Sequence, residues 1–211
     1  MTQPDPVSSC LPPRLHRWGR LHRLHRAGLS MLLALTPWLC LPTATSAWEL
    51  QGSKALRLHS RDGQSVLLGQ VNFEPRADGR IGFALALRTE TFKDFFLSMK
   101  EFKCVESADE IFCHVPYPYA QPGSVTPTDL AWLEHSLLFL FKKPNEFGAK
   151  LWNGVYFRLQ RTEQGLVGTP QAIDLNLISA PPAKLDVPPY RPALRDDIAP
   201  DARWFHRLSI E

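Results

Sequence analysis

The sequence predicts an α+β fold, mainly β: an antiparallel meander curled into a sheet or a partly closed barrel, with one long helix at about 127–143. Short runs of alternating apolar residues recur between turn signals such as Asp62-Gly63 and Asp78-Gly79. One segment alone combines helical apolar spacing with a capping threonine and a stopping proline. Cys104 and Cys113 stand at the spacing of directly opposed residues in a hairpin.

The first alternating run is 54–60, with Leu56 and Leu58 on one face. A two-residue Asp62-Gly63 turn sets Leu58 opposite Leu67 and puts Leu67, Val71 and Phe73 on the same face. In 81–87, Ile81, Phe83, Leu85 and Leu87 alternate with Gly82, Ala84 and Ala86. A two-residue turn before this run would split the apolar faces. A three-residue Ala77-Asp78-Gly79 loop instead sets Phe73 opposite Phe83 and Val71 opposite Leu85, with Gly79 left-handed. The small-residue face of 81–87 leaves room for a helix, a curled sheet or a ligand. Phe92, Phe95, Phe96 and Met99 are spaced for one helical turn, followed by a strand from about 97.

The cysteine hairpin can be registered from the sequence. A turn over Ser107–Glu110 pairs Glu106 with Ile111, Val105 with Phe112 and Cys104 with Cys113. Opposed Cβ atoms lie ~4.5–5.5 Å apart, within reach of a disulfide. The same register gathers Phe102, Cys104, Ile111, Cys113 and Val115 on one face and sets Lys103 beside His114 on the other.

For the helix at 127–143, Thr126 is a cap, Pro127 suits the first turn, and Leu130, Leu133, Leu137, Leu140 and Phe141 form the buried stripe. Lys142, Lys143 and Pro144 mark its end. Strands follow at 155–160, with Val155, Phe157 and Leu159 on one face, and at 172–179, with Ile173, Leu175 and Leu177. Gly165, Gly168 and Pro170 lie between them. Six prolines after Ala180 predict an extended arm, and the apolar stretch 202–210 predicts that the arm docks, on the body or on a partner.

Residues 1–47 read as an export signal. Five arginines between 14 and 26 precede 15 uncharged residues, 27–41, and then PTATSA. Cleavage is expected after Ala47, leaving Trp48 first. The apolar run is short for a spanning helix and Pro37 interrupts it, so no membrane span is expected after cleavage. The organisation expected is a signal at 1–47, one β-rich domain at 48–179 and a Pro-rich arm at 180–211. The destination is the periplasm or the exterior, where two cysteines are bonded.

Of the 24 basic and 21 acidic residues, 19 and 20 remain after residue 47, too balanced for a nucleic-acid footprint. No G-x-S-x-G, phosphate-cradling glycine loop, dinucleotide fingerprint, H-E-x-x-H or C-x-x-C occurs. No metal or cofactor is expected. Cys104, Cys113 and His114 read as a disulfide beside a solvated histidine rather than a metal or redox site, and His135 as a surface or boundary residue. The carboxylates Asp94, Glu101, Asp129, Glu134 and Asp174 form no legible pair.

The segment VPYPYAQPG, 115–123, displays Tyr117 and Tyr119 from a proline-stiffened backbone, or packs them on the body. With Trp152 and Tyr156 they are the candidate ligand contacts. These features predict a non-catalytic exported binding or interaction protein, meeting an apolar or mixed small ligand or an envelope protein. The alternatives are an envelope-acting hydrolase whose site is gathered only by folding, and a structural subunit of an envelope assembly.

Overall fold

The structure, a computed structural model, describes residues 48–97 and 100–211. The expected signal segment, its cleavage site at Ala47 and Met99 therefore lie outside the described residues, and Trp48 is the first inside them.

Strands β1 (Gly52–Ser60), β2 (Ser65–Pro75), β3 (Ile81–Leu87), β4 (Lys93–Leu97), β5 (Lys100–Glu106), β6 (Ile111–Val115) and β7 (Ser124–Val125) precede a short helix, α1 (Ala131–Ser136). Then come β8 (Leu138–Lys142), β9 (Gly154–Arg161), β10 (Leu166–Ile173), β11 (Asp196–Asp197) and β12 (Phe205–Ile210). All belong to one antiparallel sheet in the order β4-β5-β6-β8-β9-β10-β12-β1-β2-β3-β7, with β11 beside β10. The path ends at β4 and at β7, so the sheet is open and no barrel closes. One apolar cluster nevertheless holds Val105 and Phe112 from one end and Val71, Ile81 and Val125 from the other. Helix α1 touches both β7, at one end of the path, and β9, six places away, so the sheet is curled.

Local hairpin geometry follows the sequence at two of three turns. Phe73 faces Phe83 and Val71 faces Leu85, with Gly79 at φ 78°. Cys104 faces Cys113, Val105 faces Phe112 and Glu106 faces Ile111, and the two cysteine sulfurs are at bonding distance. The first turn differs. His59 faces Ser65, so the loop has three residues, Arg61-Asp62-Gly63, with Gly63 at φ 80°. A bulge then shifts the register between Leu56 and Arg57, which lets Leu68 rather than Leu67 join Val71 and Phe73 in the core. Gly69 permits this, because a Cβ there would lie 2.2 Å from the Ala86 carbonyl oxygen. After β3, a single 3-10 turn at Thr89–Thr91 leads into β4. The strand thus starts at 93, not 97, with Phe95 facing Phe102.

The largest correction is the long helix. Only Ala131–Ser136 is helical, and Leu138–Lys142 is a strand between β6 and β9. The run Leu137–Phe141 is apolar at every position, so a helix would bury one stripe and leave the rest in water. As a strand covered on both faces it buries Phe139 in one cluster and Leu138 and Leu140 in the other. The predicted strand at 172–179 is also displaced. Gly168 and Pro170 lie inside β10, and Asp174 accepts the Asn176 N–H and turns the chain into a 3-10 segment, Leu175–Ile178, leaving Leu177 exposed.

The C-terminal stretch joins the middle of the sheet. β12 pairs with β1 through Leu56–Ile210 and Leu58–Leu208, and with β10 through Leu166–Ile210. Glu110, in the cysteine hairpin turn, accepts the Phe205 N–H at 3.2 Å and bonds Arg203 at 2.9 Å, which fixes the approach to β12. Leu208→Ala should cost about 2–5 kcal/mol in urea unfolding, and a chain ending at Trp204 should show no cooperative transition. Cys104→Ala with Cys113→Ala should lose about 2–3 kcal/mol, matching the wild-type chain in reductant, since the bond closes a short loop.

Candidate functional site

Half of the sheet carries apolar residues on its outer face: Phe102, Cys104, Ile111, Cys113, Leu138, Leu140 and Tyr156. These are covered by Tyr117 from the loop after β6, by Trp132 of α1, by Leu175 and Ile178, and by Tyr190 of the C-terminal segment. The cover carries polar groups inward. Glu134 and His135, adjacent on α1, are both buried, and His114 is buried beneath Phe139 rather than solvated.

His135 is the hub of an aromatic cluster. Tyr117, Trp132, Tyr156 and Tyr190 all have ring centroids within 6.0 Å of it, Tyr190 stacking at 5.5 Å. Its Nε2 accepts the Tyr190 backbone N–H at 3.1 Å, so the proton sits on Nδ1 and is donated to the Ala131 carbonyl at 2.6 Å. Burial holds the imidazole down, from its ordinary value of 6.5 to about 4, against the opposing pull of the Ala131 carbonyl. The ring is therefore neutral, and both its nitrogens are engaged.

Beside it, the Glu134 carboxylate accepts the Leu159 N–H at 2.7 Å on one oxygen and the Tyr156 hydroxyl on the other. Burial raises the Glu134 carboxyl above the usual range, and burial also raises the Tyr156 phenol. The Arg195 guanidinium lies 4.5 Å over the Tyr156 ring, and its buried Nε has no hydrogen-bond partner. Glu134, Tyr156 and Arg195 form the floor of a 510 Å³ cleft between the α1 segment, β9 and residues 187–195. Its walls include Pro127, Leu130, Val187, Pro188 and Pro192, and Asp129, Arg158, Arg161 and Arg191 stand around it.

Of the four aromatic residues singled out in the sequence, Tyr117, Tyr119 and Tyr156 belong to one cluster and Trp152 stands apart. Tyr156 lines this cleft. Tyr117 is buried against Trp132 and His135, and Tyr119 is half-buried, donating its hydroxyl to the Ile178 carbonyl at 3.0 Å. Trp152 is 64% exposed on the loop between β8 and β9. On the small-residue face of β3, Ala84 and Ala86 are exposed while Gly82 is buried against the Arg76 side chain, and Ala86 lines a separate groove with Gly69, Leu87 and Arg88. That groove is the larger, at 700 Å³, but it gathers no buried ionisable side chain. Among the described residues no group of His, Cys, Asp and Glu is placed to hold a metal ion, and no helix is long and apolar enough to cross a membrane.

Sequence reasoning missed Glu134, His135, Tyr190 and Arg195 as one constellation. One signal was available. Tyr190 sits in PPYRP, the same proline-stiffened aromatic context that marked Tyr117 and Tyr119.

The histidine makes folding pH-dependent. Between about 4 and 6.5 the unfolded chain binds the His135 proton and the folded chain does not, so this contribution grows with pH and is lost on acidification. Glu134, with its carboxyl raised, acts in the opposite sense above the ordinary carboxylate value. In urea unfolding, the stability difference between wild type and His135→Gln should widen from pH 4.5 to 6.5, by at most about 1.4 kcal/mol per unit, and level off above. No protein-family model matches the chain, and neither does any curated protein or solved structure.

Proposed function

We propose that the protein is an exported, non-catalytic binding protein whose small ligand occupies the cleft floored by Tyr156, Glu134 and Arg195. The observation that carries this reading is that the buried polar groups in and behind the cleft already have partners, while among the described residues the Arg158 and Arg191 guanidiniums beside it have none. Both oxygens of Glu134 accept fixed donors, and both nitrogens of His135 are held. Groups so restrained shape a site more readily than they carry a proton to and from a substrate. Export is supported by the basic and apolar segments before residue 42 and by the Cys104–Cys113 bond.

A hydrolase acting on envelope material is the second reading, and one observation favours it. Asp129 and Glu134 line the same cleft. Asp129 accepts the Ala131 N–H and has no histidine beside it to relay a proton.

Native mass spectrometry of the full chain, recovered from an exporting host, tests the binding reading. The expected species is a chain beginning at Trp48 that carries a non-covalent small-molecule adduct, with the adduct absent from Ala131→Trp, whose indole fills the cleft. A clean, unadducted wild-type mass, or an adduct that survives Ala131→Trp, overturns it.

A further inference from the structure

The cleft is unbalanced in charge. Four arginines (Arg158, Arg161, Arg191 and Arg195) line it against two carboxylates, Asp129 and Glu134. Arg161 is partly engaged, donating to the Trp48 carbonyl at 2.9 Å. The Arg158 and Arg191 guanidiniums have no hydrogen bond or ion pair among the described residues, and the buried Arg195 Nε has no hydrogen-bond partner. Neither carboxylate forms a salt bridge with an arginine of the cleft, because Glu134 is held by Tyr156 and Leu159 and Asp129 by the α1 backbone.

Unpaired cations lining one cavity repel one another, and each keeps N–H donors suited to planar or tetrahedral oxyanions. The walls between them are apolar, supplied by Pro127, Leu130, Val187 and Pro192. A free inorganic ion would leave those walls in water, and a neutral hydrocarbon would leave the guanidiniums unanswered.

On the binding reading above, we infer that the ligand is an amphiphilic organic anion. Its carboxylate or phosphate head lies on Arg158, Arg191 and Arg195, and its apolar body lies against Leu130 and the proline walls. Arg195 is the anchor, because its guanidinium is held over Tyr156. Arg158 and Arg191 reach in from the rim.

Isothermal titration of the full-length protein with octanoate, octyl phosphate, octanol, octylamine and inorganic phosphate tests this. At least one of the two alkyl anions should bind at least tenfold more tightly than octanol, octylamine or inorganic phosphate. Which anion is preferred separates a carboxylate ligand from a phosphate one. Arg195→Gln and the double variant Arg158→Gln, Arg191→Gln should each weaken anion binding at least tenfold. The rim variant should keep its melting temperature, since neither arginine has a partner in the fold. Octanol or octylamine binding as well as the anions overturns the inference. So does inorganic phosphate binding as well as octyl phosphate. If no probe binds while the native adduct persists, the anion class is wrong and the cleft stands. If no probe binds and no adduct is found, the binding reading fails with it.

Discussion

Burial of β6, β8 and β9 on both faces is the constraint on which the rest of the molecule depends. Phe112, Phe139 and Phe157 point into the curl of the sheet, where Phe112 and Phe139 stack with ring centroids 4.7 Å apart and Phe157 meets both edge-on. Their neighbours Cys113, Leu140 and Tyr156 point the other way and would meet water without a lid. The segments 116–136 and 175–195 supply that lid. Removing that much apolar area from water outweighs the loss of regular structure in two long connections. The lid also carries backbone and charged groups into a dry layer, where each needs a partner. Glu134 answers the Leu159 N–H, and His135 answers the Tyr190 N–H. The cleft is therefore a by-product of covering the sheet, and its composition is set by which polar groups the lid had to bring along.

The second organising contact joins β1 to β12. β12 lies between β1 and β10, and Glu211 exchanges both backbone hydrogen bonds with Ala55. Gly165 allows this close approach, since a Cβ there would stand 2.1 Å from the Ile210 carbonyl oxygen. Glu110 links the cysteine hairpin to the same strand through Arg203, whose guanidinium lies 3.5 Å over the Phe141 ring. The disulfide thus braces a hairpin that itself steadies the strand entering the centre of the sheet.

What could be read from the amino-acid sequence divides along the distance over which the physics acts. The registers of β2–β3 and β5–β6 were legible because a turn and one apolar face over-determine a hairpin. The run Leu137–Phe141 was not, because unbroken apolarity fits a buried helix as well as a strand buried on both faces, and only the neighbours β6 and β9 decide. The stretch 202–210 was legible as too apolar for a free tail, but its place between β1 and β10 was not, since pairing at a separation of about 150 residues leaves no local trace. The cleft was hardly legible at all. Tyr156 was picked out for its type, while Glu134 was one of five carboxylates with no legible pair and Arg195 lay in a proline-rich arm whose docking place had no local signal. Their meeting depends on the lid, which depends on the sheet.

The placement of β12 has a consequence for how the molecule comes into being. A polypeptide made from its amino end cannot complete this sheet before residue 210 is available, because until then β1 and β10 lack their shared neighbour. Contacts between residues so far apart along the chain make such folding slow. β12 is thus a latch: until it slots between β1 and β10, the middle of the sheet stays parted.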